Sequence, residues 1–205
     1  MRQIVFSLCI AAVLWTVMFS PWTAPYLNFW WAMTASAILL TSLVAAYARD
    51  TFALLFTGWR DLWLGIIIAI VLWGVFWVGD KASSWLLPFA REQVNGIYAM
   101  KGGESGLLLS SLLLCIIGPA EEIFWRGFVQ RSLAERRNPN TAFIVTTFVY
   151  TLIHWASFNF MLVMSALVCG IIWGGLYRLM PHRLGAIVLS HALWDAAVFI
   201  WFPIV

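Results

Sequence analysis

From Leu62 to Gly79 the chain reads LWLGIIIAIVLWGVFWVG, without one charged side chain. A bilayer's hydrocarbon core takes about 20 apolar residues as helix. Backbone N–H and C=O groups in lipid must be satisfied within the segment, so a run like this is read as a membrane-spanning α-helix. It has company: 63% of the 205 residues are hydrophobic and 10% are charged, against about 25% charged in a water-soluble domain. The pattern predicts an all-α, polytopic transmembrane helix bundle of about seven spans, near 4–20, 29–47, 62–79, 106–125, 141–157, 160–177 and 185–202. Residues 1–205 are expected to form one membrane-embedded domain, with N-terminal spans and an outer connector in 1–105 and the motif-bearing core in 106–205.

The segment 80–105, DKASSWLLPFAREQVNGIYAMKGGES, is too polar to span and too apolar to float free. Trp85, Leu86, Leu87, Phe89, Val94, Ile97 and Tyr98 suit it to lie along the interface, with covering the mouth of a cavity as the alternative. The 14 tryptophans fit two interfacial belts. The N-terminus has the basic start and apolar run of a signal peptide but no small-x-small cleavage site, so a retained first helix is expected. Cys9, Cys115 and Cys169 all lie in apolar runs and read as packing residues.

The net charge is +3. In a membrane chain such an excess reflects Lys and Arg kept on the cytoplasmic side, and no nucleic-acid partner is expected. Arg2, Arg49, Arg60, Arg131, Arg136, Arg137, Arg178 and Arg183 flank one set of span ends, and only Lys81, Arg91 and Lys101 flank the other. The expectation is a cell inner-membrane protein with its N-terminus in the cytoplasm and its C-terminus outside.

An ionisable side chain inside a span costs about 2.5–3.5 kcal/mol on insertion scales, so each needs a reason. Here they are Glu121, Glu122, Arg126, His154, His191 and Asp195, from three spans. Glu122 and Arg126 are i,i+4 with the acid first, the better orientation for an ion pair. Glu121 is turned about 100° from Glu122 and has no partner on its own helix. His191 and Asp195 repeat the i,i+4 spacing, as do Tyr150 and His154. Pro119 is expected to break the fourth span and to set both glutamates in the first turn of a half-helix.

Any one of these residues has a structural reading: the Glu–Arg pair as a fastener, either histidine as a hydrogen-bonded packing residue. Six of them at shared-face spacings read together as a buried polar site. A free carboxylate with two imidazoles can activate water and steady an oxyanion. The same groups are zinc ligands, although no H-E-x-x-H is present, so the expectation is no cofactor, with zinc the less favoured alternative. GESG, Gly103 to Gly106, resembles the G-x-S-G of rhomboid proteases, but neither later histidine has a rhomboid setting. GIIWG, Gly170 to Gly174, reads as a close helix-packing motif.

EEIFWRG, then YTLIH, then HALWD resembles the CPBP family of intramembrane endopeptidases, the CAAX-protease and bacteriocin-processing group. Its pattern is E-E-x-x-x-R, F-x-x-x-H and H-x-x-x-N or D on successive spans, matched here over about 106–200. The resemblance implies a glutamate-type intramembrane protease: Glu121 activating water with His154 beside it, Glu122 and Arg126 holding the helix, and His191 and Asp195 stabilising the oxyanion. Tyr150 stands where phenylalanine is usual and adds a hydroxyl. Asp195 stands where many members have asparagine, so it is protonated, orients His191, or acts otherwise.

The expected partners are the lipid bilayer and a membrane protein or peptide substrate. That substrate is a prenylated tail, a bacteriocin or pheromone precursor, or a C-terminal sorting helix. A non-catalytic immunity or scaffold protein of the same fold and a proton or ion transporter are the competing readings. Counting helical rise from the cytoplasmic span ends places the cavity's opening between the midplane and the cytoplasmic face.

Overall fold

A computed structural model describes residues 1–55 and 58–204. Among them it is helical, with no strand. We label the helices α1 (Arg2–Phe19), α2 (Phe29–Tyr47), α3 (Trp59–Leu86), α4 (Ala90–Ala99), α5 (Gly106–Arg136), α6 (Pro139–Ile153), α7 (Phe160–Leu179) and α8 (Pro181–Trp201). Polar caps decide several starts. Asn28 accepts from Trp31 N at 3.2 Å, Asn138 from Thr141 N at 2.9 Å and Asn159 from Leu162 N at 3.0 Å, each satisfying a helix-end donor just before an apolar run. Ser105 does the same for α5 through Leu108 N at 3.2 Å. The serine of the rhomboid-like GESG is thus a helix cap.

Six helices, α1, α2, α3, α5, α7 and α8, are long and apolar enough to cross a bilayer. The seventh expected span is the shorter α6, whose 15 residues rise about 22 Å. A 3₁₀ turn, His154–Ser157, extends it, and Phe158 in the left-handed region (φ 50°) ends it. Helix α3 runs on to Leu86, absorbing the start of the predicted connector.

Polarity is inverted relative to a water-soluble fold. Phe6, Ile70, Leu107 and Phe148 face outward while Glu122, Arg126, Asp61 and Thr51 are buried, as expected where the surrounding solvent is lipid. The chain is an integral membrane protein. Its most enclosed helices are α5 and α8, each 56% buried over its span; α8 packs against both α3 and α5. At Gly118 a Cβ would sit 2.7 Å from Ala192 Cα, so only glycine lets α5 approach α8 this closely. At Gly170 a Cβ would meet Thr147 Cγ2 at 3.0 Å, which bears out close packing by the GIIWG motif, here of α7 on α6.

The arginine-bearing helix ends gather at one pole. There Arg131 pairs with Asp50, Arg183 Nη1 with Asp61 Oδ1 at 2.7 Å, and Arg178 Nε donates to Asn140 Oδ1 at 2.6 Å. At the other pole α4 spans the gap between α3 and α7. Arg91 donates to Asp80 at 2.8 Å and to Ser84 at 3.0 Å, and Gln93 receives Asn159 Nδ2 at 2.8 Å and Met161 N at 3.0 Å.

The exposed tryptophans gather mostly near the helix ends, where belts would form. Trp22, Trp59 and Trp85 are exposed near the poles, but Trp15, Trp125 and Trp173 are wholly buried in mid-bundle.

Candidate active site

Helix α5 carries the paired glutamates, and it does not break at Pro119. It runs from Gly106 to Arg136 with two π-helical stretches, Leu113–Ile117 and Ile123–Gln130, around the short α segment Gly118–Glu122. The wider i→i+5 turn absorbs the missing proline N–H without ending the helix. The expected half-helix is therefore corrected to a continuous helix with widened turns, and no helix terminus lies beside Glu121.

Glu122 is fully buried and accepts twice through Oε1: from Arg126 Nη1 at 2.9 Å and from His191 Nδ1 at 2.7 Å. The i,i+4 pair predicted from spacing is present, and its second function is to tie α5 to α8. Arg126 Nη2 also donates to the Cys169 carbonyl of α7 at 3.4 Å. Its guanidinium lies 5.0 Å from the Tyr150 ring centre and 5.9 Å from that of Trp173, within cation–π range. One ion pair therefore joins α5 to α6, α7 and α8.

His191 is held on three sides. Its Nδ1 meets Glu122, its Nε2 lies 3.4 Å from Asp195 Oδ2, and its ring stacks on Trp173 with centres 3.9 Å apart at 17°. Trp173 is itself fixed by Nε1 donating to Ser190 Oγ at 3.0 Å. Because Glu122 Oε1 already accepts from Arg126, His191 Nδ1 is the donor of its bond to Glu122, and Nε2 faces the cavity beside Asp195. Of the roles left open for Asp195, its position matches orientation of His191.

Glu121 faces away from this network, as its 100° offset requires, and its Oε2 accepts from Tyr150 OH at 3.1 Å. The tyrosine that replaces phenylalanine in the F-x-x-x-H pattern is thus the hydrogen-bond donor found for Glu121. His154, in the 3₁₀ turn that follows α6, donates from Nδ1 to the Tyr150 carbonyl at 2.8 Å, and its Nε2 accepts from Trp15 Nε1 at 3.2 Å. Trp15 was not among the candidates read from sequence. Spacing along α1 gives no signal for it, since its partner stands on another helix.

Glu121, Tyr150, His154, His191 and Asp195 line one cavity of about 550 Å³, while Glu122 and Arg126 lie behind its wall. The expected site residues therefore divide into a wall set and a supporting set. Among the described residues, no three His, Cys, Asp or Glu side chains are grouped to hold a metal ion.

The cavity's direction differs from the expectation. The residues lining it come from the arginine-poor half of the bundle: Phe19 of α1, Trp30 of α2, Leu86 of α3, Tyr98 of α4, Phe160 of α7 and Phe199 of α8. Rise along each helix places the site residues at depth but does not say toward which pole the helices splay. The connector 80–105 takes its alternative role, since Val94, Ile97 and Tyr98 roof the cavity.

No curated protein and no solved structure matched the chain. Over residues 103–197, which hold all three motifs, it matches the family model described as Type II CAAX prenyl endopeptidase Rce1-like. The resemblance to the CPBP group carried by Glu121, Glu122, Arg126, His154, His191 and Asp195 is thereby borne out: over this segment the chain is similar to the Rce1-like type II CAAX prenyl endopeptidases.

Proposed function

We propose that the protein is a glutamate-type intramembrane endopeptidase that hydrolyses a peptide bond in a membrane-associated substrate tail. One observation carries the reading: of two adjacent glutamates, Glu122 is sealed between Arg126 and His191, whereas Glu121 stands on the cavity wall with a tyrosine hydroxyl as its recorded partner. A site with one carboxylate locked and its neighbour open to an approaching water suits acid–base chemistry better than fastening.

In the proposed reaction Glu121 takes a proton from water as the water oxygen bonds to the substrate carbonyl carbon. The carbonyl π electrons move onto oxygen, and the resulting oxyanion accepts the N–H at His191 Nε2, beside Asp195. The oxyanion collapses, the C–N bond breaks, and Glu121 returns its proton to the leaving amine. Glu122 and Arg126 position His191, and His154 shapes the wall beside Glu121. No cofactor is invoked, because His154 has both ring nitrogens engaged by Trp15 and Tyr150.

The test is reconstitution of purified protein in liposomes with peptides carrying apolar tails, with products identified by mass spectrometry. The parent should cut and Glu121→Gln should not, at least 100-fold slower, the low end for loss of a general base. A Glu121→Gln protein that cuts at the parental rate would remove Glu121 from the mechanism.

A further inference from the structure

Two independent asymmetries of the bundle bear on how substrate reaches this site. The first is charge: the arginines named above crowd one pole, and Lys81, Arg91 and Lys101 are the basic residues of the other. Membrane chains retain Lys and Arg in cytoplasmic loops, which makes the arginine pole the cytoplasmic one. The second is shape: the cavity is lined from the arginine-poor half of the helices.

The arginine pole is closed by packing. Phe128, Val129 and Leu133 are buried there, Gln130 Nε2 donates to the Gly174 carbonyl at 2.8 Å, and Thr51 Oγ1 donates to the Gly127 carbonyl at 3.1 Å. Beneath α4 the situation is the reverse. Helices α3 and α7 are not closely packed against each other. They line the cavity from two sides, α3 with Gly79, Ser83 and Leu86, and α7 with Met161, Ser165 and Val168. Gly79, Ala82 and Leu86 are exposed, so the α3 side is open toward lipid.

The occupant follows from the walls. Away from Asp80 and the site residues they are chiefly aliphatic and aromatic, which suits an apolar segment arriving sideways from the bilayer. On α8, Asp195 lies about 9 Å from the helix end at Trp201, at 1.5 Å per residue. A bond that reaches the site from this pole is therefore cut within roughly 10 Å of that membrane surface, at the same rise per residue.

We propose that the site is reached from the extracytoplasmic pole, through the cleft between α3 and α7 under α4, and that its substrate is the apolar membrane-spanning tail of an exported protein. A lipidated tail presented from the cytoplasm would have to pass the sealed pole. The substrate part of this proposal rests on the endopeptidase reading; the geometry of access does not, and the experiment has two arms that separate them.

In the first arm, cysteines are placed at Gly103, where a side chain meets no neighbour, and at exposed Glu135 of the opposite pole, in a chain carrying Cys9→Ser and Cys115→Ser. A bulky membrane-impermeant maleimide should modify Gly103→Cys in intact cells and Glu135→Cys only after permeabilisation. The reverse pattern overturns the extracytoplasmic assignment whatever the protein's activity.

In the second arm, the parent is co-expressed with two fusions carrying one apolar tail in opposite membrane orientations. The fusion whose folded portion is exported should be cut at least ten-fold faster. Ala82→Trp, placed in the cleft, should slow that cleavage at least ten-fold while leaving hydrolysis of a short detergent-solubilised peptide within three-fold. Leu86→Trp serves as a second plug should the first fail to fold. Equal cleavage of both orientations, or no effect of a folded plug, overturns the proposed route. Cleavage of neither fusion overturns the endopeptidase reading, with access still decided by labelling.

Discussion

Trp15 of α1 and His154 of the 3₁₀ turn that follows α6 stand 139 positions apart and are joined by a buried hydrogen bond of 3.2 Å from indole Nε1 to imidazole Nε2. A carbonyl oxygen only accepts, so His154 Nδ1 carries the hydrogen it gives to Tyr150 O at 2.8 Å. Nε2 is then the acceptor, and the indole occupies it. The motif histidine is held in one tautomer by a residue outside the family match, which begins at 103. The same ring packs edge-on to Tyr150, with centres 5.1 Å apart, so Trp15 steadies the aromatic wall that positions the hydroxyl on Glu121.

Replacing Trp15 tests this. Trp15→Phe keeps most of the packing and removes one hydrogen bond of about 1 kcal/mol. If His154 must be held for the chemical step, kcat should fall five- to ten-fold with KM unchanged, since about 1.4 kcal/mol is a factor of ten. A fall in melting temperature with kcat intact would make the contact purely structural.

Tyr150→Phe restores the residue usual in the F-x-x-x-H pattern and removes the hydroxyl on Glu121. We expect a rate loss of at most about ten-fold, the scale of one hydrogen bond, because Tyr150 orients the carboxylate without touching the scissile bond. A loss near 1,000-fold, the size found when an oxyanion donor is deleted, would show instead that the hydroxyl acts on the reacting atoms.

The Glu122–Arg126 pair should behave as a fastener whose removal also frees His191. Either single alanine leaves an uncompensated buried charge, destabilising by about 3–5 kcal/mol, to be read as a lower melting temperature in detergent. The double substitution Glu122→Gln with Arg126→Met, which removes both charges at similar volume, should recover much of that stability. Activity should stay low, because a neutral amide at this position no longer anchors His191 Nδ1 as a carboxylate does. Recovery of activity along with stability would limit the pair to holding helices.

Asp195 separates a positioning role from a metal-ligating one. Asp195→Asn keeps a side-chain carbonyl near His191 Nε2 and adds a donor aimed at the cavity, so activity should stay within about three-fold or rise. Asp195→Ala should lose ten-fold or more, within the range for removal of an oxyanion-site group. Activity of the parent should survive chelation and dialysis. Loss on chelation with restoration by zinc alone, together with an inactive Asp195→Asn, would replace this reading with a metal mechanism.

Much of this arrangement is legible in one dimension because helical spacing is local. Glu122 with Arg126, His191 with Asp195 and Tyr150 with His154 each share a helix face at i,i+4, and the 100° offset alone sends Glu121 elsewhere. What spacing cannot carry is the partner from another helix. That Glu122 meets His191 depends on Gly118 letting α8 approach, and that His154 meets Trp15 depends on α1 packing beside the end of α6. Pro119 misleads for a related reason: its missing N–H suggests a helix end, while tertiary packing can hold a widened turn that isolated propensity would not.

Those widened turns in α5 have a consequence for what the helix can tolerate. Each holds about one residue more than a regular turn, and one residue of α-helix is about 1.5 Å of rise but about 100° of rotation. Deleting a single residue within Ile123–Gln130 would return the wide turn to an ordinary one and keep Glu121 and Glu122 near their present angle to Gln130 and Arg131, which grip α7 and the segment around Asp50, whereas the same loss from a regular helix would swing them by about 100°. The upstream stretch Leu113–Ile117 sets the same angle against Ser110, which receives the Trp201 indole at 3.1 Å. The glutamates are thus clocked from both ends, and the two wide turns are where α5 can lose one residue without turning them away from their partners.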